Sequence, residues 1–154
     1  MIWQQDALFA LRVLIAAVLG GLVGFQREHV GIEAGVRTFA AVSLGACAFG
    51  LVSQIQSGDT RISAQIVTGI GFLGAGVIVR GRGHVHGLTT AAALWATASV
   101  GLAVAYDRLL LGVLVAAILF VLLVVALLVR HGILRGEWDD ERKDRPIPSW
   151  GTTT

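Results

Sequence analysis

The chain has 154 residues, of which 55% are hydrophobic and only 14% charged, whereas a soluble domain carries about 25% charge. Its charges are clustered, leaving uncharged runs over 38–58, 62–79, 83–106 and 109–129, each close to the roughly 20 apolar residues that cross a hydrocarbon layer as a helix. These features exclude a soluble globular protein and disorder for most of the chain; the net charge of +2, with no basic patch interleaved with aromatics, excludes nucleic acid as a partner.

The pattern predicts an all-α integral membrane protein with five transmembrane helices. A backbone in lipid must satisfy its own hydrogen bonds, and the runs do not alternate as barrel strands do. The first helix is Leu8–Phe25. Its uncharged stretch is only Val13–Gln26, so Arg12 is expected to snorkel to the nearer interface. A signal peptide fits less well: no basic residue precedes the apolar stretch, and Gln26-Arg27-Glu28 follows in place of a small-residue cleavage site. Gly20 and Gly24 form a GxxxG pair, read as ordinary helix packing in preference to a dimer seam. The second helix, Val36–Ile55, carries the only cysteine, Cys47, which excludes an intramolecular disulfide and reads as a packing residue.

The third helix, Ile62–Val79, is rich in small residues. Gln65, Gly69, Phe72 and Gly76 share one stripe, and Gly71 and Gly74 lie off it. Small residues on two faces let neighbours approach from two sides, which places this helix at the centre of the bundle. The fourth, Leu88–Tyr106, opens with Gly87-Leu88-Thr89-Thr90, where a threonine after a glycine loop suits an N-cap. Thr90, Leu94, Thr97 and Gly101 line one of its faces, and Trp95 projects elsewhere. The fifth, Leu109–Val129, is apolar on every side and suits a peripheral, lipid-facing position. Residues 1–129 thus form the transmembrane domain, and 130–154 a short polar tail expected to be largely disordered.

Five spans put the termini on opposite sides. Nine basic residues (Arg27, Arg37, Arg80, Arg82, Arg130, Arg135, Arg142, Lys143 and Arg145) fall on one side, and Arg12, Arg61 and Arg108 on the other. The positive-inside rule therefore places the N-terminus outside and the C-terminus in the cytoplasm.

The polar residues admit two readings each. Arg27 and Arg37 flank a cytoplasmic loop, either as anchors or as a cationic group near Thr89 at the start of the fourth helix, which would favour an anion. Asp59 and Arg61 form either a local ion pair or, with Gln65, a polar mouth to the bundle. No acidic residue sits within a span, so a cation pathway lacks its usual carboxylate, although carbonyls of a broken glycine-rich helix can replace one. His84 and His86 are a weak metal signal without a third ligand, and no cofactor is implied. No serine, histidine and acid converge, so an enzyme is not expected.

The run from Asp59 through Arg61, Gln65, Thr68, Gly69, Gly71, Gly74 and Gly76 to Ile78 resembles the signature of the MgtC/SapB family of bacterial inner-membrane proteins. So do Gly87-Leu88-Thr89-Thr90-Ala91-Ala92 with Leu94-Trp95-Ala96, Gly24-Phe25-Gln26-Arg27-Glu28 and Gly35-Val36-Arg37-Thr38. The resemblance covers about Leu11 to Leu119. It implies a multi-pass protein of the bacterial cytoplasmic membrane, linked to adaptation to low magnesium. It further implies a regulator acting on other membrane proteins, the F-type ATP synthase among them, with a magnesium or small-ion transporter or channel as the alternative. Small-residue faces suit such a partner or a second copy in a homodimer. Carried over as candidate functional residues are Arg27, Arg37, Thr38, Asp59, Arg61, Gln65, Thr89, Thr90 and Trp95, with Gly20, Gly24, Gly69, Gly71, Gly74 and Gly76 for helix packing. Two departures stand out. The family has glutamate where this chain has Gln26, and many relatives continue into a soluble ACT-like domain where this chain has its tail.

Overall fold

Helices form where the apolar runs fall. The computed structural model describes residues 2–29, 31–32, 34–56, 61–80 and 85–129. Its helices are α1 (Ile2–Glu28), α2 (Val36–Ile55), α3 (Arg61–Val77), α4 (Leu88–Ala105) and α5 (Leu109–Leu128). Asp59, His84 and the tail from Arg130 lie outside the described residues. Four helices, α1, α2, α4 and α5, are long and apolar enough to cross a membrane, while α3 is shorter at 17 residues. Between α3 and α4 sits an antiparallel hairpin of β1 (Val79–Arg80) and β2 (Val85–His86), pairing Val79 with His86 and Arg80 with Val85. Strands of two residues are too short to announce themselves by alternation.

The chain divides into residues 1–121 and 122–154. Of the second unit, the described part is residues 122–129, the apolar end of α5 and Val129. Within the first, α2 packs on α1, α3 and α4, and α4 packs on α1, α2 and α3. Gly112 of α5 meets Val104 and Ala103 of α4, while Leu110, Leu111, Val113, Leu114 and Ile118 face outward.

The enclosed helix is α4, not α3. Eleven of the eighteen residues of α4 are buried, against three of the seventeen of α3 (Ile66, Ile70 and Gly74). The expectation that α3 sits at the centre is therefore corrected. Its glycines do allow close approach, but only Gly74 meets a neighbour, Ala91 at 3.5 Å; Gly69, Gly71 and Gly76 have open space where a side chain would go. The alanines of α4 (Ala91, Ala93, Ala98, Ala103 and Ala105) provide the thin surface that admits α1, α2 and α3 together.

The tightest approaches are on α1 and α4. A Cβ on Gly24 would lie 2.7 Å from the Gly35 carbonyl oxygen and 2.8 Å from Val36 Cα; one on Gly20 would lie 2.6 Å from Ser43 Cβ. The GxxxG pair of α1 is thus the groove into which α2 fits, within one chain.

Candidate functional site

Polar contacts gather at the two ends of the bundle. At one end, Arg27 Nη2 donates to Thr90 Oγ1 at 2.9 Å, joining the last turn of α1 to the first turn of α4. Both side chains are buried, Arg27 to 6% exposure. Beside it the Glu28 carboxylate accepts the Val36 N–H at 3.1 Å and so caps α2 from the end of α1. Gly35, which stands at the N-cap position, makes no side-chain cap bond, and a Cβ there would meet Glu28 Oε2 at 2.7 Å. Glu28→Ala is expected to destabilise the start of α2 by about 1 kcal/mol, as the loss of a cap does, and Glu28→Gln by less. Faster amide exchange over the first turn of α2 is the readout; unchanged exchange in Glu28→Ala would remove the capping role.

At the opposite end, Arg12 donates to the Ala105 carbonyl at 3.2 Å and pairs with Asp107. Gln54 Nε2 donates to the same carbonyl at 2.7 Å, and Ser63 Oγ and Tyr106 OH share a hydrogen bond of 2.8 Å. Two donors therefore meet one C-terminal carbonyl of α4, that of Ala105, where a helix needs them. Arg12 thus reaches from α1 to the exposed turn after α4, where Asp107 is its counter-charge. Arg12 and Arg27 are fifteen residues apart on α1, as are Ala105 and Thr90 on α4, which is about 22 Å of rise on each helix. The two helices run antiparallel and are pinned at both ends.

The remaining candidates separate. Arg37 and Thr89 are exposed, and Arg37 makes no hydrogen bond or ion pair among the described residues. Arg27 thus reaches α4 while Arg37 does not join it. Trp95 is half-exposed and faces away from the bundle. No threonine caps α4; its N-cap is Gly87, in a left-handed conformation. Arg61 begins α3. Thr38 and Gln65 line a groove of about 600 Å³ between α2 and α3, with Gly45, Phe49, Gly69 and Leu73 among its walls. Among the described residues, no three His, Cys, Asp or Glu side chains gather as metal ligands would.

Four contributors escaped the sequence reading: Glu28 as a cap, Gln54, the Ser63–Tyr106 pair, and Asp107 as the partner of Arg12. Only Arg12 carried a signal, since one charge inside an apolar run demands a counter-group.

The MgtC family model matches residues 13–131. The chain is 48% identical over 104 residues to Protein MgtC of Brucella abortus (strain 2308), covering 66% of this chain and 44% of that protein. It is 50% identical over 95 residues to Protein MgtC of Salmonella typhimurium (strain LT2), covering 60% of this chain and 41% of that one. It spans less than half the length of these curated relatives. No solved structure matches. With the matched region running from the middle of α1 past the end of α5, the chain belongs to the MgtC family.

Proposed function

We propose that this is a non-enzymatic regulator of the bacterial inner membrane, linked to adaptation to low magnesium, which acts by binding a transmembrane helix of another membrane protein. The observation that carries this reading is the groove between α2 and α3. It is apolar, it is open along one side, and it is floored by Gly45 and Gly69, beside which a helix backbone can approach closely. In lipid there is no hydrophobic drive to cover such a surface, so packing of a complementary helix decides its occupant. The family resemblance makes the F-type ATP synthase the first partner to test.

The same reading has all five helices cross the bilayer, with the N-terminus outside and the C-terminus in the cytoplasm. α3 supports this despite its length. Ser63 near its start meets Tyr106 at the end of α4, and Gly74 near its end meets Ala91 at the start of α4. It therefore runs the whole length of α4, and its rise of about 26 Å falls only a little short of the hydrocarbon thickness.

The test is site-specific photocrosslinking from position 49, where Phe49 lines the same groove, in membranes of magnesium-limited cells. A stoichiometric adduct with a transmembrane segment, lost in a Gly69→Leu chain that still folds, is the expected result. Capture that is unchanged by Gly69→Leu would sink the groove as the docking site. Magnesium flux by the purified chain in proteoliposomes would replace the regulator with the transporter.

A further inference from the structure

We propose that the open first turn of α4, together with the buried guanidinium of Arg27, binds a phosphate group. The proposal stands apart from the regulator reading, since it uses α1 and α4 and not the groove. α4 has eighteen residues and no side-chain cap. Its first internal bond runs from Ala91 N–H to the Gly87 carbonyl at 2.8 Å. The N–H groups of Leu88, Thr89 and Thr90 therefore have no partner among the described residues. These donors and the helix dipole favour an anion, but that much is true of many helices.

Arg27 is the independent observation. Its side chain is 6% exposed, and its one hydrogen bond among the described residues goes to the neutral hydroxyl of Thr90, in the first turn of α4. Its Nε is buried with no partner among the described residues. A buried cation is costly unless an opposite charge and hydrogen bonds compensate it. The adjacent carboxylate, Glu28, is committed to the Val36 N–H. The ion pair of Arg12 with Asp107 lies at the opposite end of the bundle. Two positive features, neither in an ion pair among the described residues, thus meet at one place, joined by the Thr90 hydroxyl.

Thr89 is exposed and Gly87 half-exposed, so the turn is open on its outer side. An anion there would meet these N–H groups at the turn whose Thr90 hydroxyl holds the guanidinium at 2.9 Å. A tetrahedral oxyanion offers several oxygens to such donors, and guanidinium–phosphate pairing is the strong form of this contact. The turn lies at the helix ends, level with lipid headgroups, so a phosphodiester headgroup and free phosphate both present the required group.

The full chain, purified in neutral detergent, is titrated with phosphatidylglycerol and with diacylglycerol, which lacks the phosphate, and read by native mass spectrometry. In parallel its melting is followed with added inorganic phosphate. Retention of phosphatidylglycerol over diacylglycerol without a phosphate effect assigns the headgroup; stabilisation by inorganic phosphate in lipid-free detergent assigns the free ion. Arg27→Gln is expected to weaken whichever binding is seen by about tenfold or more, as the loss of a charge-assisted bond does. Thr89→Glu places a carboxylate in the open turn from an exposed position; it is expected to suppress binding equally while the chain melts no lower than the parent. If neither probe binds the parent chain, or if Thr89→Glu binds like the parent, the proposal is wrong, whether or not Arg27→Gln folds.

Discussion

Gly101→Ala is expected to push α4 away from α2 and to destabilise the purified chain markedly. The added methyl would overlap the Ser43 carbonyl oxygen and lie 2.9 Å from its carbon and 3.0 Å from the Cys47 nitrogen. These are backbone atoms of α2, which cannot rotate aside as a side-chain tip would. The cost therefore falls at the upper end of the about 1–3 kcal/mol typical of overpacking, or beyond it. From the other side, Gly20 of α1 stands against the same Ser43 and the Phe39 carbonyl. α2 is gripped between two glycines, so adding Gly20→Ala is expected to cost less than its own effect in the parent, the first expansion having already loosened the shared contact. Gly71→Ala is the control. Nothing lies within 4 Å of its missing Cβ, and replacing a helical glycine gains up to about 1 kcal/mol of propensity. Thermal melting in detergent, with monodispersity checked by size-exclusion chromatography, separates the two. Equal melting of Gly101→Ala and the parent would mean that α2 and α4 are not this close.

That contrast between Gly101 and Gly71 shows where the sequence was readable. Apolar runs bounded by charges located α2, α4 and α5 to within a residue or two, because the lipid requirement for about 20 apolar residues acts on each segment alone. α1 begins earlier than expected, at Ile2, since Gln4, Gln5 and Asp6 lower the apolar signal without breaking a helix. What the sequence could not show is which glycine faces which helix. Gly69, Gly71 and Gly76 look as suitable for packing as Gly20 and Gly101, yet among the described residues nothing lies within 4 Å of their missing Cβ atoms. Small residues permit contact without specifying it. The candidate polar residues divide in the same way. Arg27 and Thr90 meet across a separation of 63 residues, and Thr38 and Gln65 share a groove, but no local pattern encodes either pairing. Arg12 was conspicuous and its partner was not, because Asp107 sits in a turn whose left-handed backbone, φ 57°, is set by the α4–α5 junction.

Gly87→Ala is expected to damage the junction between α3, the hairpin and α4 by two additive routes. Gly87 has φ of 89°, where an L-residue with a Cβ is strained by about 1–2 kcal/mol. The new Cβ would also overlap the Val77 carbonyl oxygen and lie 3.0 Å from its carbon. That carbonyl belongs to the last residue of α3, so the hairpin and the start of α4 must move together to make room, at a further about 1–3 kcal/mol. Gly31 isolates the first route: its φ is 73°, and a Cβ there would meet nothing within 4 Å. Gly31→Ala should therefore show the conformational cost alone, and Gly87→Ala that cost plus the clash. Asparagine tolerates the left-handed region better than alanine. Gly31→Asn should then be close to neutral, while Gly87→Asn keeps the steric part and stays well below the parent. Melting temperatures of the four variants in one detergent give the comparison. If Gly87→Asn melts with the parent, the close approach to Val77 is absent. The order of effects matters beyond stability, because Gly87 sets the position of the first turn of α4: a shift there pulls Thr90 from Arg27 and takes the Thr90 hydrogen bond from the buried guanidinium.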